Sequence, residues 1–311
     1  MRHLLTVERV CLFGHLASMA FGLAGLLLVM PHPEFLAHVP AGSTLFQWSM
    51  AGGGVVYILL GALTVALHAY RTLGLTALLG FFIPSVGISL SSELLGTSIG
   101  FPFGDYNYLN GLGYKIAGLV PFTIPLSWFY LGLSSYLLAR AGLAKIAPSA
   151  HLGVLRVLGA ILLGATLLMS WDFVLDPAMS QTAMPFWHWH KPGAFFGMPY
   201  QNFAGWLGTG AVFMAIATLI WGNRAQAFNL NREQLNTPLA IYLGNFAFAT
   251  VMSLAAGFWV PILLGILLGA LPAVLCWRRG AVVSADEPNL TILASSSIEA
   301  TVAAPVGVVT K

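Results

Sequence analysis

Runs of about twenty apolar residues, each closed by a short polar stretch, recur along the whole chain. A helix needs about 20 such residues to cross the hydrocarbon of a bilayer. On that measure the spans are residues 10–30, 45–67, 72–92, 116–139, 152–171 and 202–221. The last run, 239–277, would overshoot a bilayer as one helix. Ala255-Ala256-Gly257, with Pro261 just beyond, is the expected turn between two shorter ones. The pattern predicts an all-α fold, a polytopic membrane bundle of about eight transmembrane helices.

The loop charges bear on that number. Arg2 and Arg9 precede span 1, and Arg71 lies between spans 2 and 3. Arg140, Lys145 and Arg156 surround the link from span 4 to 5. Arg224 and Arg232 lie between spans 6 and 7, and Arg278-Arg279 follow span 8. Every second connection is basic, as the positive-inside rule requires, so both termini are expected in the cytoplasm. Seven spans would leave Arg278-Arg279 on the outside. The opposite loops, 31–44, 93–115 and 172–201, hold Glu34, Glu93, Asp105, Asp172 and Asp176 against only Lys115 and Lys191.

Composition excludes a soluble protein: 58% of the residues are hydrophobic and 7% charged, with mean hydropathy +0.84. The net charge of +3 is therefore topological and does not point to nucleic acid. Cys11 and Cys276 lie far apart inside apolar runs and read as small packing residues, with no disulfide or zinc spacing. The run from Val10 to Met30 is long enough to span, so no signal peptide is evident. Residues 1–280 are expected to form a single transmembrane domain. The remainder, 281–311, is rich in Ser, Ala, Val and Thr without aromatics, and is expected to be a disordered tail.

Against so apolar a background three stretches carry the chemistry. In 92–115, SELLGTSIGFPFGDYNYLNGLGYK, Glu93, Asp105 and Lys115 stand among Phe103, Tyr106, Tyr108 and several glycines. Irregular backbone at membrane depth survives only when buried in protein or lining a wet cavity. The aromatics alone would fit an interfacial belt. In SWDFVLDP, 170–177, Asp172 and Asp176 are four apart, which on a helix puts both carboxyl groups on one face. The competing reading is that Asp172 caps the span and Asp176 starts a turn before Pro177. In PFWHWHKPGAFFGMPYQNFAGW, 185–206, His188 and His190 alternate with Trp187 and Trp189. An extended backbone would align the two imidazoles, but no third His or Cys is near, and Trp and His are ordinary interfacial residues. Asn202 begins span 6 and can point its amide inward.

A weak internal symmetry links these stretches. Pro121 is followed at seven residues by Trp128 and at eleven by Gly132; Pro199 is followed at the same offsets by Trp206 and Gly210. Glu93 precedes the first Pro by 28 residues and Asp172 the second by 27. Two helix–loop–helix units of like orientation, each bringing one acid, would produce this pattern. Other possibilities fall away: there is no Gly-rich phosphate loop and no GxSxG elbow. Gly52-Gly53-Gly54 fits close helix packing, and His15 and His68 read as packed or interfacial.

GFPFGDYNY, LGYKIAGLVPFTIPLSWFYLGLSSYLLA, WDFVLDPAM and WHWHKPGAFFGMPYQNFAGW, in that order, resemble the CruF-type carotenoid biosynthesis family, its cyanobacterial members most. The resemblance covers residues 81 to 221. It implies a carotenoid 1,2-hydratase, adding water to the terminal double bond of a ψ end group of a γ-carotene-like substrate on the way to myxol glycosides. It implies no flavin, nicotinamide or metal cofactor. The partners would be membrane lipid, the carotenoid and other carotenoid biosynthesis enzymes, with no nucleic acid, in a plasma or thylakoid membrane. Asp172 would be the acid, with Glu93, Asp105 and Asp176 competing to activate water or tune it. Phe103, Tyr106, Trp187 and Trp189 would shelter a tertiary cation, with Lys115, His188 and Asn202 beside them. An end-group cyclase or isomerase, or a carotenoid-binding protein without catalysis, would use the same residues differently.

Overall fold

A computed structural model describes residues 2–144, 150–182, 184–222 and 230–281. Lys145 and Arg224 of the charge pattern, and the expected tail from residue 282 on, lie outside the described residues. Among these residues seven helical segments are long and apolar enough to cross a membrane. They are α1 (Arg2–Ala24) with a π-helical turn Gly25–Val29, α2 (Gly42–Leu73), α3 (Leu75–Ile99), α5 (Ala150–Ser180), α6 (Tyr200–Trp221) and α7 (Asn236–Ala255). The seventh is the rod formed by α8 (Trp259–Gly265), a second π turn and α9 (Leu271–Arg279). The eighth long helix, α4 (Thr123–Leu143), is not among those seven. Its faces are covered by protein instead of lipid. It packs on α2, α3, α5, α7 and α9, and Trp128, Tyr130, Ser134, Ser135 and Tyr136 are all buried. The expected all-α polytopic bundle is thus the observed one, wrapped around a central helix.

Most span boundaries fall near their expected places. The turn expected at Ala255-Ala256-Gly257 is there: α7 stops at Ala255, Gly257 takes a left-handed φ of 78°, and α8 starts at Trp259. Two ends differ. α3 runs seven residues past the expected end of its span, at 92, and so carries Glu93 inside the helix. Gly100, at φ 78°, then closes it by donating its N–H to the Gly96 carbonyl at 3.0 Å. α5 continues through Pro177 to Ser180. Proline there removes a backbone donor and crowds the preceding turn. The carbonyl deprived of that donor is that of Phe173. Next to it, the Ser253 hydroxyl from α7 donates to the Val174 carbonyl at 2.6 Å, a side-chain bond of the kind that supports proline-bearing turns in membrane helices.

Two short antiparallel ribbons organise the loops. β1 (Tyr106–Tyr108) pairs with β4 (Trp187–Trp189) in the register Tyr106↔Trp189, Asn107↔His188, Tyr108↔Trp187. β2 (Lys115–Ile116) pairs with β3 (Val120–Pro121). Strand side chains alternate with period 2, so Tyr106, Tyr108 and Trp189 turn inward and His188 faces out. The β1–β4 ribbon ties the α3–α4 loop to the α5–α6 loop. Beneath it the Trp128 ring of α4 lies flat on the Trp206 ring of α6, centroids 3.9 Å apart and planes at 19°. These are the two tryptophans that the internal spacing equated, and they meet each other, as residues beside a two-fold axis would.

The other end of the bundle is held by a separate polar cluster. Glu8 of α1, buried, accepts from Arg71 Nε at 2.9 Å, from Thr237 Oγ1 at 2.8 Å and contacts His68 Nδ1 at 2.9 Å. His15 lies deeper, between the Tyr57 carbonyl and Asn245, whose Oδ1 accepts from Tyr130 at 3.0 Å. His15 and His68 are thus packed histidines that join α1 and α2 to α7.

Candidate functional site

The C-terminal ends of α1, α3, α5 and α7 and the N-terminal ends of α2, α4 and α6 gather at one end of the bundle, beneath the β1–β4 ribbon. They enclose a cavity with about 110 Å³ open to the centres of water-sized molecules, where one water needs only about 10–15 Å³. Its lining includes Glu93, Phe103, Tyr106, Asp172, Asp176, Trp187, Trp189 and Asn202, eight of the eleven residues singled out from the sequence. No Lys or Arg is among the lining residues.

Glu93 is held by three donors. The hydroxyls of Tyr106 and Tyr108 both bond Oε2, Tyr108 at 2.8 Å, and the Trp128 indole N–H bonds Oε1 at 2.9 Å. Burial first, and then the Glu93 charge, pushes both phenols well above their ordinary range. They therefore remain O–H donors at any ordinary pH. Asp176 is held in the same manner from the other loop. Trp189 Nε1 donates to Oδ1 at 2.9 Å, Trp187 Nε1 to Oδ2 at 3.3 Å and Ser180 Oγ to Oδ1 at 3.1 Å. Each of these two acids thus accepts from the inward side chains of its own loop strand. The bonding pattern makes Asp176 the counterpart of Glu93, whereas sequence spacing alone equated Glu93 with Asp172.

Asp172 is different. It sits one turn before Asp176 on the same face of α5 and is 1% exposed. Its Oδ2 accepts from Asn202 Nδ2 at 2.8 Å, and the same nitrogen lies 3.4 Å from Asp176 Oδ2. Its Oδ1 has no hydrogen-bond donor among the described residues. One carboxyl group in the cavity therefore has an uncommitted oxygen, and the amide beside it bridges to a second. Around them stand broad ring faces: Trp128 on Trp206, Trp171 edge-on to Trp206 at 5.8 Å, and Tyr106 against Trp189 at 4.9 Å.

Three of the singled-out residues are placed elsewhere. Asp105 is half exposed at the surface, where His190 Nδ1 meets its Oδ1 at 2.8 Å. Lys115 donates to the Tyr108 carbonyl at 2.6 Å, fixing the loop backbone and meeting none of the acids. His188 points outward from β4 and its ring is 6.1 Å from His190, whose Nε2 is engaged with Asn107 Oδ1 at 2.9 Å. Among the described residues no group of three or more His, Cys, Asp or Glu is arranged to hold a metal ion.

Tyr108, Trp128, Trp171 and Trp206 also line the cavity and were not singled out as site residues. For Tyr108 a signal existed: once Tyr106 faces in, a strand places 108 inward and 105 and 107 outward. The partnership of Trp128 with Glu93 spans 35 residues and depends on helix packing that no local pattern encodes.

The model of the family described as carotenoid biosynthesis protein matches residues 53–272. Bisanhydrobacterioruberin hydratase of Haloarcula japonica is 35% identical over 196 residues, covering 62% of this chain and 61% of that protein. The match thus spans about three fifths of the length of that curated relative. No solved structure matches the chain.

Proposed function

The chain belongs to the carotenoid biosynthesis protein family, and on that premise we propose that it is a carotenoid hydratase. It adds water across the C1–C2 double bond of a ψ end group, with a γ-carotene-like substrate and a myxol-type product. The observation that carries this reading is the buried, aromatic-walled cavity. It holds two carboxyl groups each oriented by several donors beside a third, Asp172, with one oxygen free. The similarity to a protein named as a hydratase supports it.

Asp172 enters protonated and gives its proton to C2, with the π electrons forming the new C–H bond. The tertiary cation left at C1 lies against the indole faces of Trp128, Trp206 and Trp187, whose quadrupoles favour positive charge. A single water attacks C1, and its released proton passes to Asp176. Asn202, bonded to both aspartates, holds them in register for the proton to return to Asp172. The cycle then consumes one water and no net proton. Glu93, saturated by Tyr106, Tyr108 and Trp128, fixes the aromatic wall. Excluding other water and other bases favours capture over simple proton loss.

The cavity end of the bundle is the side the loop charges place outside the cytoplasm, with both termini inside. The membrane is the plasma or thylakoid membrane, and other carotenoid biosynthesis enzymes supply and consume the pigment. Expression in a host accumulating lycopene or γ-carotene, with pigments read by mass spectrometry, tests the proposal. A product heavier by one water is expected. A new ring at unchanged mass would establish a cyclase instead, and unchanged pigment retained by the protein would establish a binder.

A further inference from the structure

The cavity has two unlike ends. Glu93, Asp172, Asp176 and Asn202 form a closed polar end, each at most 3% exposed, on α3, α5 and α6. Gly22 and Leu26 of the α1 segment, with Ser49 and Gly53 of α2, form the other end and are only half-buried. Around that end Phe21, Leu28 and Trp48 are exposed, as lipid-facing side chains are. The sequence read Gly52-Gly53-Gly54 as a close helix contact, but only Gly54 has a close backbone neighbour, and that neighbour is the α3–α4 loop at Gly111, not a helix. A Cβ on Gly54 would lie 2.5 Å from the Gly111 carbonyl, whereas one on Gly53 meets only Ser49 Oγ, at 3.6 Å, and one on Gly22 meets nothing within 4 Å. At Gly22 and Gly53 the missing side chains therefore leave space and relieve no backbone clash.

The enclosed volume, room for roughly nine waters at about 10–15 Å³ each, accommodates an end group and not a whole carotenoid. We propose that the substrate binds end-on. Its terminal alkene reaches the free oxygen of Asp172, and the rest of the polyene leaves between α1 and α2, over Gly22 and Gly53, into the lipid. Those two positions then set which chains are admitted, a role distinct from the chemistry. The inference rests on the hydratase reading for its substrate, but pigment binding tests it separately.

The test uses full-length protein in lipid nanodiscs and the variants Gly53→Ala, Gly53→Leu and Gly22→Leu. Gly208→Leu on α6 serves as control, since a Cβ there meets nothing within 4 Å and it lies outside the cavity lining. Two quantities are read: carotene retained per protein after passage through pigment-free vesicles, and kcat/KM. The kcat/KM is measured on the carotene and on a ten-carbon isoprenoid hydrocarbon with the same terminus. Gly53→Leu and Gly22→Leu should lower carotene retention and kcat/KM by at least about tenfold, mainly through KM. The short hydrocarbon should change less than about twofold. Gly53→Ala should be intermediate and Gly208→Leu like wild type. Full carotene retention by both leucine variants, or equal losses on long and short substrates, overturns the slot. Wild type that retains carotene but adds no water sinks the hydratase reading, while the retention series still decides the slot. Wild type that neither retains carotene nor adds water to it sinks both.

Discussion

Replacing Asp172 by asparagine separates the chemistry from the packing. The side chain accepts one hydrogen bond, from Asn202 at 2.8 Å, and the carboxamide of Asp172→Asn presents an oxygen of the same reach to the same donor. The new NH2 points where Oδ1 stood, toward the cavity, so no buried group loses a partner. Asp172 is neutral before the reaction, so one neutral bond replaces another and the stability cost is less than about 1 kcal/mol. The acid, however, is gone. General acid catalysis is worth about 10²–10⁴-fold, or roughly 3–5 kcal/mol at about 1.4 kcal/mol per tenfold. Hydration by membranes carrying Asp172→Asn, followed by chromatography and mass spectrometry, should therefore fall by at least about a hundredfold. Protein abundance and melting temperature in detergent should stay close to wild type. Turnover within about threefold of wild type would show that the uncommitted oxygen is not the proton donor. A collapse of folded protein would show that Asp172 is structural.

Glu93 should behave in the opposite way. Glu93→Ala strands three buried donors at about 1–3 kcal/mol each, a loss of folded protein readable by thermal melting. Glu93→Gln should retain most of the stability, since its oxygen can face the donor-only Trp128 and its NH2 the rotatable tyrosine hydroxyls. Gly205→Ala would place a Cβ 2.4 Å from the Phe103 ring and 3.0 Å from the Pro102 carbonyl. That overpacking should cost about 1–3 kcal/mol in the same melt. Asp105→Asn breaks only an exposed pair with His190, so stability should change by less than about 1 kcal/mol and hydration should not change. In an alkaline titration, the phenols of Tyr106 and Tyr108 are raised in the folded state. Their contribution is therefore complete below the unfolded value of about 10 and is lost as pH rises further. Phenolate absorbance should show Tyr106 and Tyr108 among the tyrosines that titrate only as the protein unfolds, and the Tyr106→Phe and Tyr108→Phe variants each remove one from that set. Early titration of all tyrosines would contradict their burial.

The spans were readable because lipid imposes one rule along each of them, and the 255–257 turn because glycine and a nearby proline break that rule locally. The pairing of Asp172 with Asp176 was readable because four residues make one helical turn whatever surrounds it. Pro177 concealed the last turn of α5, since the group that accommodates it, Ser253, is 79 residues away from Val174. Asp105 and Lys115 drew notice as charges in an apolar chain, yet the alternation of Tyr106 and Tyr108 in the same segment already placed Asp105 on the water side. The roles of Trp128 and Trp206 depended on which helices meet, and their spacing showed only that they correspond.

The enclosure of α4 also bears on how the protein is made. Helices enter a membrane in chain order, and α4 arrives when only α1 to α3 are in place. Two of the neighbours that cover its tyrosines and serines, α5 and α7, and a third, α9, are synthesised later. Until then its polar face must rest against α2 and α3 or the insertion machinery. A nascent chain halted after Leu143 would thus carry a span not yet at home in lipid. The whole Glu93 wall, with Tyr106, Tyr108 and Trp128, is then made before the Asp172, Asp176 and Asn202 side of the cavity exists.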